Sequence, residues 1–333
     1  MKHPEHRFPL RRQIVWSMRI FTALTSLALG AALFFLSNQY VRSNLLQAAE
    51  FNLRLVATGI ETNLDNADSL LNWASINSTV RRYLSEPDLN GTPTLAAYEA
   101  AQEKYYSSPL YGKIIRFFMS NENDRHLQFG ALNSSAALSR SSIQLFLQQG
   151  YGMQFMTDPL LPSAPACLAT SLILPQTTDL PPPRDPVFRV FTAYLALDLS
   201  VITDPAAGYA MADGSALYWE MNNRLWEIKG GKLTEAENVL SGVSYTLRST
   251  AEEQSAWQGT AKINGKPCSV VKVVLEGRGA ALIQTLPEST FLQQRGVYLW
   301  LVVLGAALVW GLSFLLQHWL EWAITRPVAF CSI

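Results

Sequence analysis

Two uncharged apolar runs, seventeen residues from Ile20 to Leu36 and twenty from Val297 to Leu316, bracket a polar segment of about 260 residues. A helix needs about 20 apolar residues to cross a hydrocarbon core. The second run has that length by itself, and the first reaches it once Ser37 to Tyr40 are included. A secretory signal peptide should end in small residues at a cleavage site. The first run is followed instead by "SNQYVRSN", so an uncleaved anchor is expected. Aromatic residues that favour the membrane interface flank both runs: Trp16 and Tyr40 on the first, Tyr298, Trp319 and Trp322 on the second.

Charge orients the spans. The chain carries 26 basic and 26 acidic residues, yet Lys2, Arg7, Arg11, Arg12 and Arg19 crowd its first nineteen residues against Glu5 alone. Positive charge stays in the cytoplasm, which puts the N-terminus inside, residues 41–295 outside, and Glu321 onward inside again, with Arg326 in agreement. The expected location is a plasma membrane crossed twice. Neither run holds a charged residue to carry ions, which argues against a channel or transporter. No basic stripe marks a nucleic-acid surface, and no nucleic-acid partner is expected.

The outer segment starts as a helix. Ala49, Leu53, Val56, Ile60, Leu64, Ala67, Leu71 and Ala74 recur at steps of three and four, the spacing of one apolar stripe, and no proline intervenes before Pro87. The first span therefore continues outward as a rod of about thirty further residues, roughly 45 Å. "VRRYL" and "TLAAYEAAQEKYYSS" read as two more helices around turn material at 87–93. From Lys113 the grammar changes to strands: "KIIRFFMSNENDRHLQFG" as a hairpin, then "YGMQFMTDPL", "CLATSLIL" and "VFRVFTAYLALDL", the last two separated by the proline-rich "PQTTDLPPPRDP". A second, smaller sheet is expected after the short helix "LSVITD". It comprises a hairpin turning at Asp213-Gly214 in "GYAMADGSALYWEM", "SYTLRSTAEEQ", a hairpin turning at Asn264-Gly265, and "GAALIQTLP".

This order resembles the double Cache sensor modules of bacterial membrane receptors, with "YLALDLSVITD", "MADGSALYW" and "ALIQTLPESTFLQQ" as the words that carry the likeness. "ITRPV" after the second span is similar to the start of a HAMP linker, and the relatives implied are sensor histidine kinases paired with AraC-type response regulators. The resemblance implies an α+β membrane protein in which two transmembrane helices flank tandem PAS-like domains. Its divisions are a cytoplasmic tail at 1–19, a first span at 20–40, a long signalling helix at 41–79, a membrane-distal Cache domain at 80–199, a proximal one at 200–295, a second span at 296–317, and the beginning of a HAMP linker at 318–333. Ile324, Arg326 and Pro327 would be the signalling linker. The words "AFCSI" lack the heptad continuation of a HAMP helix, so the chain is expected to be truncated before its kinase. No cofactor is implied for these residues, ATP and Mg belonging only to the missing kinase domain. The implied partners are an extracytoplasmic small molecule, carbohydrate or peptide among the options, a second copy in a homodimer, the membrane, and a response regulator reached through the missing domain. A chemoreceptor, a membrane-bound transcriptional regulator and a complete anchored binding protein remain open alternatives.

His3, His6, His126 and His318 are too scattered for a metal site or catalytic pair, and no nucleophile motif, P-loop or dinucleotide fingerprint is present. Cys167, Cys268 and Cys331 fit no zinc spacing; the first two are read as separate buried thiols or as one bridge. Asn77, Asn90 and Asn133 match a glycosylation pattern that a bacterial chain would not use. PAS-like domains hold ligands against the sheet face, which points to Arg116, in a strand beside Phe117 and Phe118, and to Tyr151 and Asp158 from the segment across the sheet. An arginine would take a carboxylate, and an aspartate an amine or sugar hydroxyl.

Overall fold

The computed structural model describes residues 10–85, 92–120, 125–130, 153–157, 166–176, 189–209, 211, 214–236, 239–250 and 254–330. It divides into two compact units, one formed by Met1–Ala48 with Leu286–Ile333 and the other by Ala49–Thr285. A single helix, α1 (Leu10–Ile76), contributes to both.

In the first unit, α1 pairs with α5 (Glu288–Phe330), and each contains a stretch long and apolar enough to cross a membrane. The contacts fix an antiparallel register. Arg19 lies over the Phe314 ring at 5.5 Å, Gly30 faces Val302, and Arg42 lies over Phe291 at 5.3 Å while its Nη2 donates to Glu288 Oε1 at 3.1 Å. A small apolar groove opens between the helices around Ser26, Gly30 and Gly305. Helix α5 runs through Ile324, Arg326 and Pro327 to Phe330.

The second unit is built on the stripe of α1. All eight stripe residues from Ala49 to Ala74 are buried, joined by Ala57 and Leu70. A helix with so continuous an apolar face has to be covered along its length. At its end Asn77 caps α2 (Ser78–Ser85), its Oδ1 accepting from the Val80 amide at 3.0 Å, so this residue of a sequon-like triplet works as a helix cap. Helix α3 (Thr92–Ser107) follows and lays Tyr98 and Tyr105 on Phe129, at 5.1 and 5.8 Å between ring centroids.

Five strands form the first sheet: β1 (Ile114–Ser120), β2 (His126–Phe129), β3 (Gln154–Thr157), β4 (Ala166–Gln176) and β5 (Arg189–Leu197), ordered β2-β1-β5-β4-β3. The expected hairpin β1–β2 is present, and His126 opens β2. Strand β4 extends through Pro175 and Gln176, which the sequence assigned to the proline-rich connector; the rest of that connector lies outside the described residues.

After α4 (Ser200–Ala207) come seven strands: β6 (Ala216–Met221), β7 (Arg224–Lys229), β8 (Lys232–Glu235), β9 (Leu240–Thr250), β10 (Gln254–Ile263), β11 (Lys266–Leu275) and β12 (Ala280–Pro287), ordered β8-β7-β6-β12-β11-β10-β9. The second sheet is thus the larger among the described residues, because "RLWEIKGGKLTE" supplies two strands that the sequence reading left out. Asn264-Gly265 turns the β10–β11 hairpin as expected, with φ of 48° and 78°. The expected turn at Asp213-Gly214 falls partly outside the described residues, since Asp213 is among those not described. The hairpin formed by β6 turns at Asn222-Asn223, both at positive φ (52° and 61°), which asparagine tolerates and a primed turn requires. Cys167 and Cys268 are both buried thiols that do not bridge, and the Cys268 thiol donates to the Ala261 carbonyl at 3.4 Å.

Candidate functional site

Side chains alternate across a strand, and residues directly opposite in an antiparallel pair share a face. In β1, Phe117 and Met119 fall on one face and Arg116, Phe118 and Ser120 on the other. Register extends both faces across the first sheet. Phe117 lies opposite Phe129 and Leu195, forming the apolar face that α3 covers through its tyrosines.

The opposite face is polar. One row runs Arg116, Ala196, Ala169, Gln154 across β1, β5, β4 and β3. The next runs Gln128, Phe118, Tyr194, Ser171, and the third begins His126, Ser120, Thr192. Two alanines in the first row leave a low floor between Arg116 and Gln154, which stand three strand spacings, or about 14 Å, apart. Tyr194 and Ser171 edge that floor with hydroxyls.

Burial makes this face unusual. Arg116 is 1% exposed and Tyr194 is equally buried, with Ser120 and Thr192 also buried. A guanidinium withdrawn from water needs acceptors or an anion around it, or its desolvation would unfold the site. Gly130 fixes the backbone beside it. At φ +153° a Cβ there would stand 2.2 Å from the Ile115 carbonyl oxygen and 2.9 Å from the Arg116 Cα, so only glycine lets the chain leaving β2 pass so close to β1.

Of the residues named from sequence, Arg116 lies on this face, at the β1 end of its first row. Tyr151 and Asp158 lie outside the described residues, and Ile324, Arg326 and Pro327 belong to α5. Gln154, Ser171, Thr192, Tyr194 and Gln128 were missed. The signal was available in part: the alternation in "IIRFFMS" and "FTAYLAL" already places Arg116 and Ser120, and Thr192 and Tyr194, on single faces. Among the described residues, no group of three His, Cys, Asp or Glu could hold a metal.

The face connects to the rest of the unit. Strand β3 shows Gln154 to the polar side and Phe155 to the other, where Phe155 meets Trp226 of β7 in the second sheet at 4.4 Å. Helix α4 lies against α1. The Asn63 amide Nδ2 donates to the Val201 carbonyl at 2.8 Å, and a Cβ on Gly59 would stand 3.0 Å from the Pro205 Cβ. Lys113, one residue before β1, pairs with Asp204 of α4 at 2.7 Å. In the β11–β12 turn, Arg278 is clasped to Asp65 and Asp68 of α1. Burial would lower the pKa of Arg278, but the hydrogen bonds and charges of Asp68 and Asp65 outweigh it and raise the value. Glu50 of α1 accepts from Gln258 of β10 at 3.1 Å. An open cleft of about 630 Å³ in the second sheet holds the Lys272–Glu220 ion pair and Glu276, whose Oε1 accepts from Ser255 at 2.5 Å. In that sheet's core, burial first, then Glu227 and Cys268, push the Tyr218 hydroxyl up to about 12.

No family model matches the chain, and no curated protein matches it in sequence. Solved structures of similar fold include the ligand-binding domain of the Pseudomonas aeruginosa PAO1 amino acid chemoreceptor PctB in complex with L-Arg, at 11% identity and a TM-score of 0.47, covering 80% of this chain and 99% of that one. The ligand-binding domain of Mlp24 with asparagine aligns at 10% identity and a TM-score of 0.48, covering 78% and 98%. The extracellular domain of rpHK1S-Z16, a histidine kinase by its description, aligns at 9% identity and a TM-score of 0.45, covering 74% and 98%.

Proposed function

We infer that this chain is a membrane-anchored sensor that receives a small polar ligand on the polar face of its first sheet. The observation that carries the reading is Arg116, buried on a sheet face that also presents Tyr194, Ser171 and Gln154 around an alanine floor. A forked guanidinium there suits a carboxylate, and the neighbouring hydroxyls and amide suit the rest of a small polar molecule. Amino acids, short peptides and acidic sugars meet that description.

In this reading the N-terminus and the end of α5 are cytoplasmic, the Ala49–Thr285 unit is outside the cell, and Ile324, Arg326 and Pro327 lead into a HAMP-type linker. The output is a histidine kinase domain, which would bring ATP, Mg and a response regulator, and the working form is a homodimer. The ligand acts by binding one arrangement of the two sheets better than another, and it can move that equilibrium only by its difference in affinity. Helix α1 and the β12–α5 connection are the two covalent routes by which the preference would reach the membrane.

The test is thermal unfolding of the full purified chain in nanodiscs against a panel of amino acids, dipeptides, carboxylic acids and sugars. A ligand of the folded state stabilises it by about 2.7 kcal/mol at a hundredfold excess over its Kd. The expected result is a stabilising carboxylate whose effect Arg116→Gln removes while the ligand-free variant still unfolds cooperatively. A stabilising ligand that Arg116→Gln binds equally well would move the site elsewhere.

A further inference from the structure

The two membrane-competent helices are clasped at two levels. Arg19 over Phe314 and Arg42 over Phe291 lie 23 residues apart on each helix, about 35 Å at 1.5 Å per residue, close to the roughly 30 Å of a hydrocarbon core. Each clasp therefore sits at the level of one headgroup layer.

The clasps differ in their charge balance. Arg42 has a carboxylate partner, Glu288. Arg19 rests on its ring without one among the described residues. A ring engages the flat face of a guanidinium and leaves the N–H edge for an oxyanion. Beside Arg19 a pocket of about 160 Å³ opens between the helices, lined by Thr22, Trp310, Ser313 and Phe314.

The geometry points to this pocket as a binding site for the phosphate of an anionic phospholipid, with the Arg19 guanidinium as the anion's ligand and the Thr22 and Ser313 hydroxyls beside it. The site rests on the membrane-spanning reading given above. A lipid supplies at the inner clasp what Glu288 supplies at the outer one. A phosphate fits the forked donor geometry, while Trp310 and Phe314 face the start of the acyl region. The excess of basic residues in the first nineteen positions draws the same lipids to that leaflet.

The test equilibrates the full chain, purified in mild detergent, with equal amounts of phosphatidylglycerol and phosphatidylcholine, and counts the lipids retained by native mass spectrometry. Wild type is expected to prefer phosphatidylglycerol by roughly tenfold, and Arg19→Gln to reduce this to about twofold or less. Arg42→Gln, whose charge Glu288 already meets, leaves the preference in place. Ser313→Ala and Phe314→Leu keep the charge and weaken the preference by about threefold, which keeps the test decisive if Arg19→Gln fails to accumulate. Equal retention of both lipids, or a preference that survives Arg19→Gln, overturns the site. Displacement of the lipid by millimolar glycerol 3-phosphate overturns the lipid assignment in favour of a soluble phosphate. Extraction of the chain from membranes by alkaline carbonate would overturn the membrane reading along with the site, an outcome separate from loss of preference in an integrally bound chain.

Discussion

The ring of Phe155 and the indole of Trp226 meet at 4.4 Å, joining the edge strand of the first sheet to the second sheet one residue from the polar face at Gln154. An aromatic pair of this kind is worth about 0.5–1.5 kcal/mol beyond the area it buries. Phe155→Ala is expected to cost about 1–3 kcal/mol and to separate the unfolding of the two sheets in scanning calorimetry. A single unchanged transition in the variant would show that the pair couples nothing.

Gly130→Ala tests the close passage beside Arg116. Its new Cβ would collide with the Ile115 carbonyl oxygen, a backbone atom that cannot swing away. The variant should lose at least about 2 kcal/mol by denaturant titration, with the slope of the transition unchanged. It should also weaken the ligand found with Arg116, because the strand carrying that side chain has to shift.

The clasp of Arg278 on Asp68 holds the β11–β12 turn against α1. Both carboxylates are partly exposed, so the net effect is modest: Arg278→Ala is expected to cost about 1–2 kcal/mol. A double-mutant cycle with Asp68→Ala should return a coupling of about 0.5–1 kcal/mol that shrinks with added salt.

Tyr218 predicts an alkaline limb. Its hydroxyl keeps its proton up to about 12 in the folded state, against an ordinary value of 10.0. The folded state then binds more protons than the unfolded one in that window, so this contribution is intact below pH 10 and lost as the pH climbs through about 12. The loss amounts to about 2 kcal/mol. Tyr218→Phe should flatten this part of the profile when unfolding midpoints are measured from pH 9 to 12, and an identical slope in both proteins would contradict it.

The sequence by itself determined what local chemistry decides. The stripe from Ala49 to Ala74 could only be one long covered helix, because steps of three and four residues define a face before any partner is known. Asn264-Gly265 could only be a tight turn, because few residue pairs accept two positive φ angles. The apolar runs fixed which two helices suit a membrane, since length and the absence of charge are properties of the chain alone.

Tertiary structure decided which local signals were used and which residues met. The pairing of β6 with β7 placed a tight turn at Asn222-Asn223, a pair the sequence reading did not single out. Strands β7 and β8 were overlooked because their charged residues conceal an alternation that acquires meaning only when Trp226 lies opposite Trp219 and Phe155 packs on it. The alternation in β1 showed that Arg116 and Ser120 share a face, but not that Ala196, Ala169 and Gln154 complete the same row. Register between strands distant in sequence is set by how whole faces bury, and no short window of sequence contains that information.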